Sequence, residues 1–266
     1  MQAGDEDSCR LWQNAAAIRG RRKAIESFNA YSEDSMAHHL VMIPGLLCTE
    51  TLFKVQRSAL SHSVTVEIAN HYGHNSLNAM ARAILERAPD RFALAGLSMG
   101  GYLAFEILRL APDRVERLAL LKTSARADSA EQKDNRFRLV ALAEKKGIGI
   151  PVREMFPKLV APSHSSDEFL EAIFLEMAET IGTAGFARQQ AAIAGRPDSR
   201  PMLASIKCPT LVLVGEGDQL TPVALAKEMA EGIVGSRLAV IPDAGHLSPL
   251  EAPERVTHEL QAWLKG

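Results

Sequence analysis

From residue 39 onward, short apolar runs alternate with amphipathic segments. The runs at 40–43, 64–68, 92–97 and 115–121 read as strands, and residues 50–60, 76–87 and 99–110 as helices. In the second of these helices Leu77, Met80, Ala81, Ile84 and Leu85 fall on one stripe, the spacing of a helix with one buried face. Pro112 stops the third. Strand–helix alternation of this kind predicts an α/β protein with a predominantly parallel, doubly wound sheet covered on both faces. The rhythm then breaks. Residues 123–205 hold no strand-like run but four amphipathic segments, 134–146, 152–160, 167–181 and 183–194. The sheet resumes at 210–214 and 238–241, and residues 253–264 close the chain as an amphipathic helix. The expected organisation is therefore a core formed by 37–123 and 206–266, interrupted by a helical insertion at 124–205. Residues 1–36 match neither pattern and are expected to form an N-terminal extension, loosely packed or disordered, with a docking or regulatory arm as the alternative.

The chemistry starts where the third strand meets the third helix, at Gly96-Leu97-Ser98-Met99-Gly100. A serine on a tight strand-to-helix turn needs neighbours without side chains, because the backbone there is crowded and its dihedrals are unusual. Read as a glycine-rich turn with a bystander serine, this segment implies nothing elsewhere. Read as a nucleophile, it requires an acid and then a histidine, each in a loop after a later strand. Both follow in order. The unalternating run 209–215 is a buried parallel strand and leads into Gly215-Glu216-Gly217-Asp218; the next strand leads into Pro242-Asp243-Ala244-Gly245-His246. Asp243 is the rival acid, but it lies three residues before His246 and cannot easily reach the far ring nitrogen while His246 faces Ser98.

These segments resemble the α/β-hydrolase superfamily, in its capped serine esterase form. Gly96–Gly100 is similar to its nucleophile elbow, Gly215–Asp218 to its acid loop, Ala244-Gly245-His246-Leu247 to its histidine loop, and Leu250-Glu251-Ala252-Pro253-Glu254 to the opening of its last helix. The resemblance runs from about residue 38 to the C-terminus and includes Ile43-Pro44-Gly45-Leu46-Leu47, where many relatives carry His-Gly in place of Pro44-Gly45. It implies the α/β-hydrolase fold with 124–205 as a helical cap, Ser98 as nucleophile, His246 as base and Asp218 as the acid that orients it. The backbone amides of Leu46 and Met99 would bind the oxyanion, with their side chains shaping the substrate site. Phe137, Met155, Phe156, Phe169, Phe174 and Phe186 are the cap's candidates for an apolar pocket wall.

The bulk numbers narrow the classes. With 266 residues the chain can bury one large core, and a formal charge of −2 without a long basic run argues against nucleic acid as a partner. Its three cysteines, Cys9, Cys48 and Cys208, are far apart and form no C-x-x-C pair, so neither a disulfide framework nor a zinc knuckle is expected. Cys208 reads as a small core residue; Cys48, near the predicted oxyanion loop, is a secondary candidate for reactivity. His71 and His74 have H-x-x-H spacing without an evident third ligand, so no metal is expected. No stretch approaches the ~20 apolar residues that span a bilayer, and the acidic start is unlike a secretory signal. A cytoplasmic location follows as the expectation.

The expected protein is a cofactor-free serine hydrolase acting on small carboxylic esters through an acyl-enzyme. A lactonase, a carbon–carbon bond hydrolase or a lyase could use the same triad, and a ligand receptor could retain it with little turnover. Fold does not choose among them. The pattern is silent on oligomeric state.

Overall fold

The computed structural model describes residues 39–266; the reading of residues 1–36 as an extension lies outside them. Six strands form one all-parallel sheet: β1 (His39–Ile43), β2 (Thr65–Ile68), β3 (Phe92–Leu97), β4 (Val115–Leu121), β5 (Thr210–Gly215) and β6 (Arg237–Ile241). Their spatial order is β2-β1-β3-β4-β5-β6. The chain runs outward from β1 to β2 and then crosses back to β3, so the direction of winding reverses between β1 and β3. The crevice at the carboxyl ends of two such strands is where open α/β sheets hold their ligands. Here the register pairs Ile43 with Gly96, which puts Pro44-Gly45 beside Leu97-Ser98.

The apolar strands are explained by two-sided burial. Leu40 and Met42 of β1, with Ala93 and Ala95 of β3, join the core on one face; Val41, Ile43 and Leu94 join the core on the other. Helices α1 (Lys54–Leu60), α2 (Leu77–Leu85) and α3 (Met99–Leu110) follow the first three strands, and α9 (Pro253–Lys265) ends the chain. The expected helix at 50–60 is split: Glu50–Phe53 is a 3-10 turn, capped by the Thr49 side chain, before α1 begins. A further helix, α7 (Val223–Gly232), fills the β5–β6 crossover, a segment for which the apolar pattern had suggested no element. A single turn, α8 (Ser248–Glu251), follows β6.

Between β4 and β5 stand α4 (Ala130–Lys146), α5 (Gly149–Leu159) and α6 (Glu168–Ala194). The expected break between 181 and 183 is a kink inside α6, where Gly182 takes φ 69° and ψ 170°; glycine meets no Cβ penalty there. Phe156, Phe174 and Phe186 are buried and merge with the core on one face of the sheet. Phe137 and Phe169 are corrections to the wall expectation: they are 55% and 74% exposed. Periodicity placed them on amphipathic segments, but neither is covered by the rest of the fold. The two ends of the insertion are braced together. Arg196 and Arg136 both bind the fully buried Asp128 carboxylate, at 2.7 and 2.6 Å, and the Arg196 guanidinium stacks 4.2 Å over the Tyr102 ring. A buried carboxylate is tolerable only when paired in this way. No helix among the described residues is long and apolar enough to cross a membrane.

Candidate active site

Among the described residues, four that are not glycine have positive φ: Leu47, Ser98, Lys122 and Asp243. They follow β1, β3, β4 and β6 respectively, so all lie at the carboxyl edge of the sheet. Such strain persists only where the surroundings over-determine it, and it collects at functional sites.

Ser98 sits at φ 54° and ψ −112° between β3 and α3. Four hydrogen bonds fix this turn: Ser98 N–H donates to Leu121 O at 2.8 Å, and Ser98 O accepts from Gly101 N–H at 2.9 Å, Tyr102 N–H at 3.3 Å and Thr123 Oγ1 at 2.8 Å. The glycines are required by space. A side-chain carbon on Gly96 would collide with the Gly100 carbonyl, and one on Gly100 with the Ile43 carbonyl oxygen. Met99 opens α3, and the first N–H groups of a helix have no partner within it. Ser98 and Leu46 are half-buried, at the mouth of the β1–β3 crevice.

Asp218 and His246 meet. His246 Nδ1 lies 2.8 Å from Asp218 Oδ2, with both residues buried. Oδ2 also accepts from Thr221 Oγ1 at 2.7 Å, while Oδ1 accepts the Leu220 and Thr221 N–H groups at 2.9 Å each. Since the carboxylate can only accept, its partner nitrogen Nδ1 carries a hydrogen and leaves Nε2 as the free lone pair. Burial pushes the Asp218 carboxyl up, but the His246 ring, these hydrogen bonds and the Lys122 ammonium outweigh it and hold the pKa at about 2. A depressed carboxylate stabilises the fold above its unfolded pKa of ~3.9 and loses that contribution as pH falls toward the folded value. Asp243, the rival acid, is exposed.

Two residues near this pair, half-buried Glu251 and buried Lys122, had no role in the sequence reading of the site. Glu251 Oε1 accepts Gly245 N–H at 2.9 Å and Ala161 N–H at 2.7 Å, tying the histidine loop to the segment that follows α5 in the insertion. Leu247 N–H adds a bond to Leu159 O at 2.9 Å. Lys122 is 1% exposed, and its Nζ has no hydrogen-bond partner among the described residues. A Cβ on Gly215 would lie 2.1 Å from Ala244 O and 2.6 Å from that Nζ, so glycine there lets both the histidine loop and the ammonium approach. Burial pulls the Lys122 pKa down to about 8, against the attraction of Asp218 and Glu251. Between pH ~8 and the unfolded value of ~10.4 the unfolded chain binds more protons, so stability rises with pH across that window and the full penalty is present below it. Lys122→Met is accordingly expected to melt higher than the parent at pH 7, by an advantage that fades by pH 10. A lower melting temperature at pH 7 would mean that attraction to the two carboxylates exceeds the cost of burial.

Cys48 is buried, which pushes its thiol up to about 12 and removes it as a nucleophile near neutrality. His71 is buried against the loop after β1. No group of three His, Cys, Asp or Glu among the described residues could hold a metal ion.

A model of the alpha/beta hydrolase family matches residues 40–259. The chain belongs to the alpha/beta hydrolase family. Solved members of similar shape include a thermophilic esterase from Thermogutta terrifontis, 34% identical with a TM-score of 0.78, covering 86% of this chain and 90% of that one. The enol-lactonase of Burkholderia xenovorans is 25% identical with a TM-score of 0.78, over 86% and 92%. By sequence, 3-oxoadipate enol-lactonase 2 of Acinetobacter baylyi is 30% identical over 64% of this chain, and the match spans 62% of the lactonase, under two thirds of its length. These relatives are hydrolases of esters or lactones by name, and the fold and helical insertion are those of the family.

Proposed function

We propose that this protein is a serine hydrolase that cleaves carboxylic esters of small molecules through Ser98, His246 and Asp218. The observation that carries the reading is the buried 2.8 Å Asp218–His246 pair at the same sheet edge as a serine held in a strained strand-to-helix turn. A serine hydroxyl becomes a nucleophile only when a base takes its proton during attack. His246 Nε2 is that base. Asp218 holds the Nδ1–H tautomer and stabilises the imidazolium that forms. The amides of Leu46 and Met99 receive the tetrahedral oxyanion. Collapse of the intermediate breaks the ester bond, and His246 returns the proton to the leaving alkoxide. Water, deprotonated by His246 in turn, then attacks the acyl-enzyme and releases the acid and Ser98. The insertion acts as a cap, with the buried apolar faces of α5 and α6 limiting the acyl group. A lactone is a cyclic ester and passes through the same steps, and the enol-lactonase neighbours favour it as the second reading.

Stoichiometric labelling of Ser98 by a fluorophosphonate, with turnover of p-nitrophenyl esters, tests the reading. If the cap limits the acyl group, each buried methylene contributes about 0.8 kcal/mol. So kcat/KM is expected to rise about fourfold per methylene from acetate and then to fall sharply at one chain length. A flat profile would place the acyl group away from the cap. Turnover of lactones with no turnover of open-chain esters would move the assignment to the second reading. Failure of labelling and turnover together would leave a receptor.

A further inference from the structure

The loop after β1 is a tight turn over the nucleophile. Cys48 N–H donates to Gly45 O at 3.1 Å, and of the two central residues only the second, Leu47, has positive φ, at 58°. That is the sign pattern of a type II turn, which ordinarily puts glycine at this position. A leucine there costs free energy that something else must offset. The turn also sits hard against the site, since a Cβ on Gly45 would lie 3.1 Å from Leu97 Cδ2 and 3.4 Å from Ser98 Cβ.

Two side chains from distant parts of the chain hold it. His71, in the loop after β2, puts Nε2 2.9 Å from Gly45 O. Gln189, on α6 of the insertion, accepts Leu47 N–H through Oε1 at 3.1 Å, and its Nε2 lies 3.1 Å from His71 Nε2. His71 is 2% exposed and Gln189 fully buried. Gly45 O can only accept, so the 2.9 Å bond to it takes the His71 tautomer with its hydrogen on Nε2; the Gln189 amide nitrogen can only donate, so in that tautomer its 3.1 Å approach to Nε2 is a contact and not a hydrogen bond. Burial lowers the His71 pKa to about 4, so the ring is neutral near neutrality. Arg188 Nε adds a bond to Tyr72 O at 2.9 Å, fastening α6 to the same loop.

The consequence follows from peptide geometry. Gly45 O and Leu46 N–H are opposite ends of one planar group, and the described residues contain no cis bond. Holding the oxygen on one side aims the N–H to the other. Leu47 N–H belongs to the next peptide group, and Gln189 fixes that one. Resting on the reading above, we infer that His71 and Gln189 are positioning residues that lock the two peptide groups flanking Leu46, so that its N–H is aimed at the oxyanion. Because Gln189 belongs to the insertion, the insertion completes the oxyanion-binding half of the site as well as covering it.

The test is Gln189→Met, which keeps the length of the side chain and removes its acceptor, alongside His71→Phe and His71→Gln. Each is assayed on p-nitrophenyl acetate per fluorophosphonate-titrated site, so that misfolded protein is not counted. An alkyl boronic acid, which becomes tetrahedral on the serine, reports transition-state binding. The expected result for Gln189→Met and His71→Phe is a 10–100-fold lower kcat per titrated site with KM within about twofold, below the 10²–10³ for removing a donor outright. Boronate affinity should fall by the same factor. His71→Gln, which restores an N–H donor, should recover most of the loss. Unchanged kcat per titrated site, or a loss confined to KM, or boronate affinity that does not follow kcat, would overturn the positioning role. A parent protein that neither labels nor turns over esters or lactones would instead remove the hydrolase reading itself, before any variant is compared.

Discussion

Ser98→Ala is expected to abolish ester turnover and fluorophosphonate labelling while leaving the melting temperature within about 2 °C of the parent. Removing the nucleophile of a comparable triad costs about 10⁶-fold in kcat. The fold should tolerate the change because the bonds that hold the turn use the Ser98 backbone, through its N–H to Leu121 and its carbonyl to Gly101 and Thr123. Alanine must still adopt φ 54°, and the shift allowed for in melting temperature covers the difference in strain. Labelling that persists on another residue, located by peptide mass mapping, would show that the nucleophile lies elsewhere.

Asp218→Asn is expected to lower kcat about 10⁴-fold, as loss of the orienting carboxylate does in the serine protease example. The carboxamide keeps the shape, and its oxygen can still accept the Leu220 and Thr221 amides. Its nitrogen then faces His246 Nδ1 and Thr221 Oγ1. A donor in that place favours the ring with its hydrogen on Nε2, and that tautomer cannot take the serine proton. No charge remains to stabilise the imidazolium. Asp243→Asn should change kcat by less than about twofold, since Asp243 is exposed and asparagine accepts its positive φ as readily. The opposite ranking in steady-state kinetics would transfer the acid's role to Asp243.

Much of this site lies open in the linear pattern because its parts are local. A serine flanked by Gly96 and Gly100 declares its own turn, as there is no room for side chains where β3 bends into α3. Asp218 and His246 each follow a buried strand, so their order and their place at one sheet edge can be read without coordinates. The residues that support them cannot. Glu251 reads as part of a helix opening, yet it anchors the histidine loop to Ala161 across the fold. Lys122 follows a strand and carries no local signal, yet it is buried and attracted by the Asp218 and Glu251 carboxylates. His71 reads only as half of an H-x-x-H spacing without a third ligand, whereas in the fold its Nε2 meets the carbonyl of Gly45 beside the Gln189 side chain.

By itself the sequence determined the alternation of strands and helices, the presence of a helical insertion within the sheet, and the order in which the candidate serine, acid and histidine occur. Each of these is written in hydrophobic period or in turn chemistry over a few residues. Only the tertiary structure decided which apolar faces are covered, leaving Phe137 and Phe169 exposed while Phe156, Phe174 and Phe186 are buried. It alone decided that Gln189, 142 residues from Leu47 in the chain, closes on the turn beside Ser98. Periodicity tells which side of an element seeks cover, but not which element supplies it. A buried polar side chain has no period at all, and its role is set by the single distant partner that repays its desolvation.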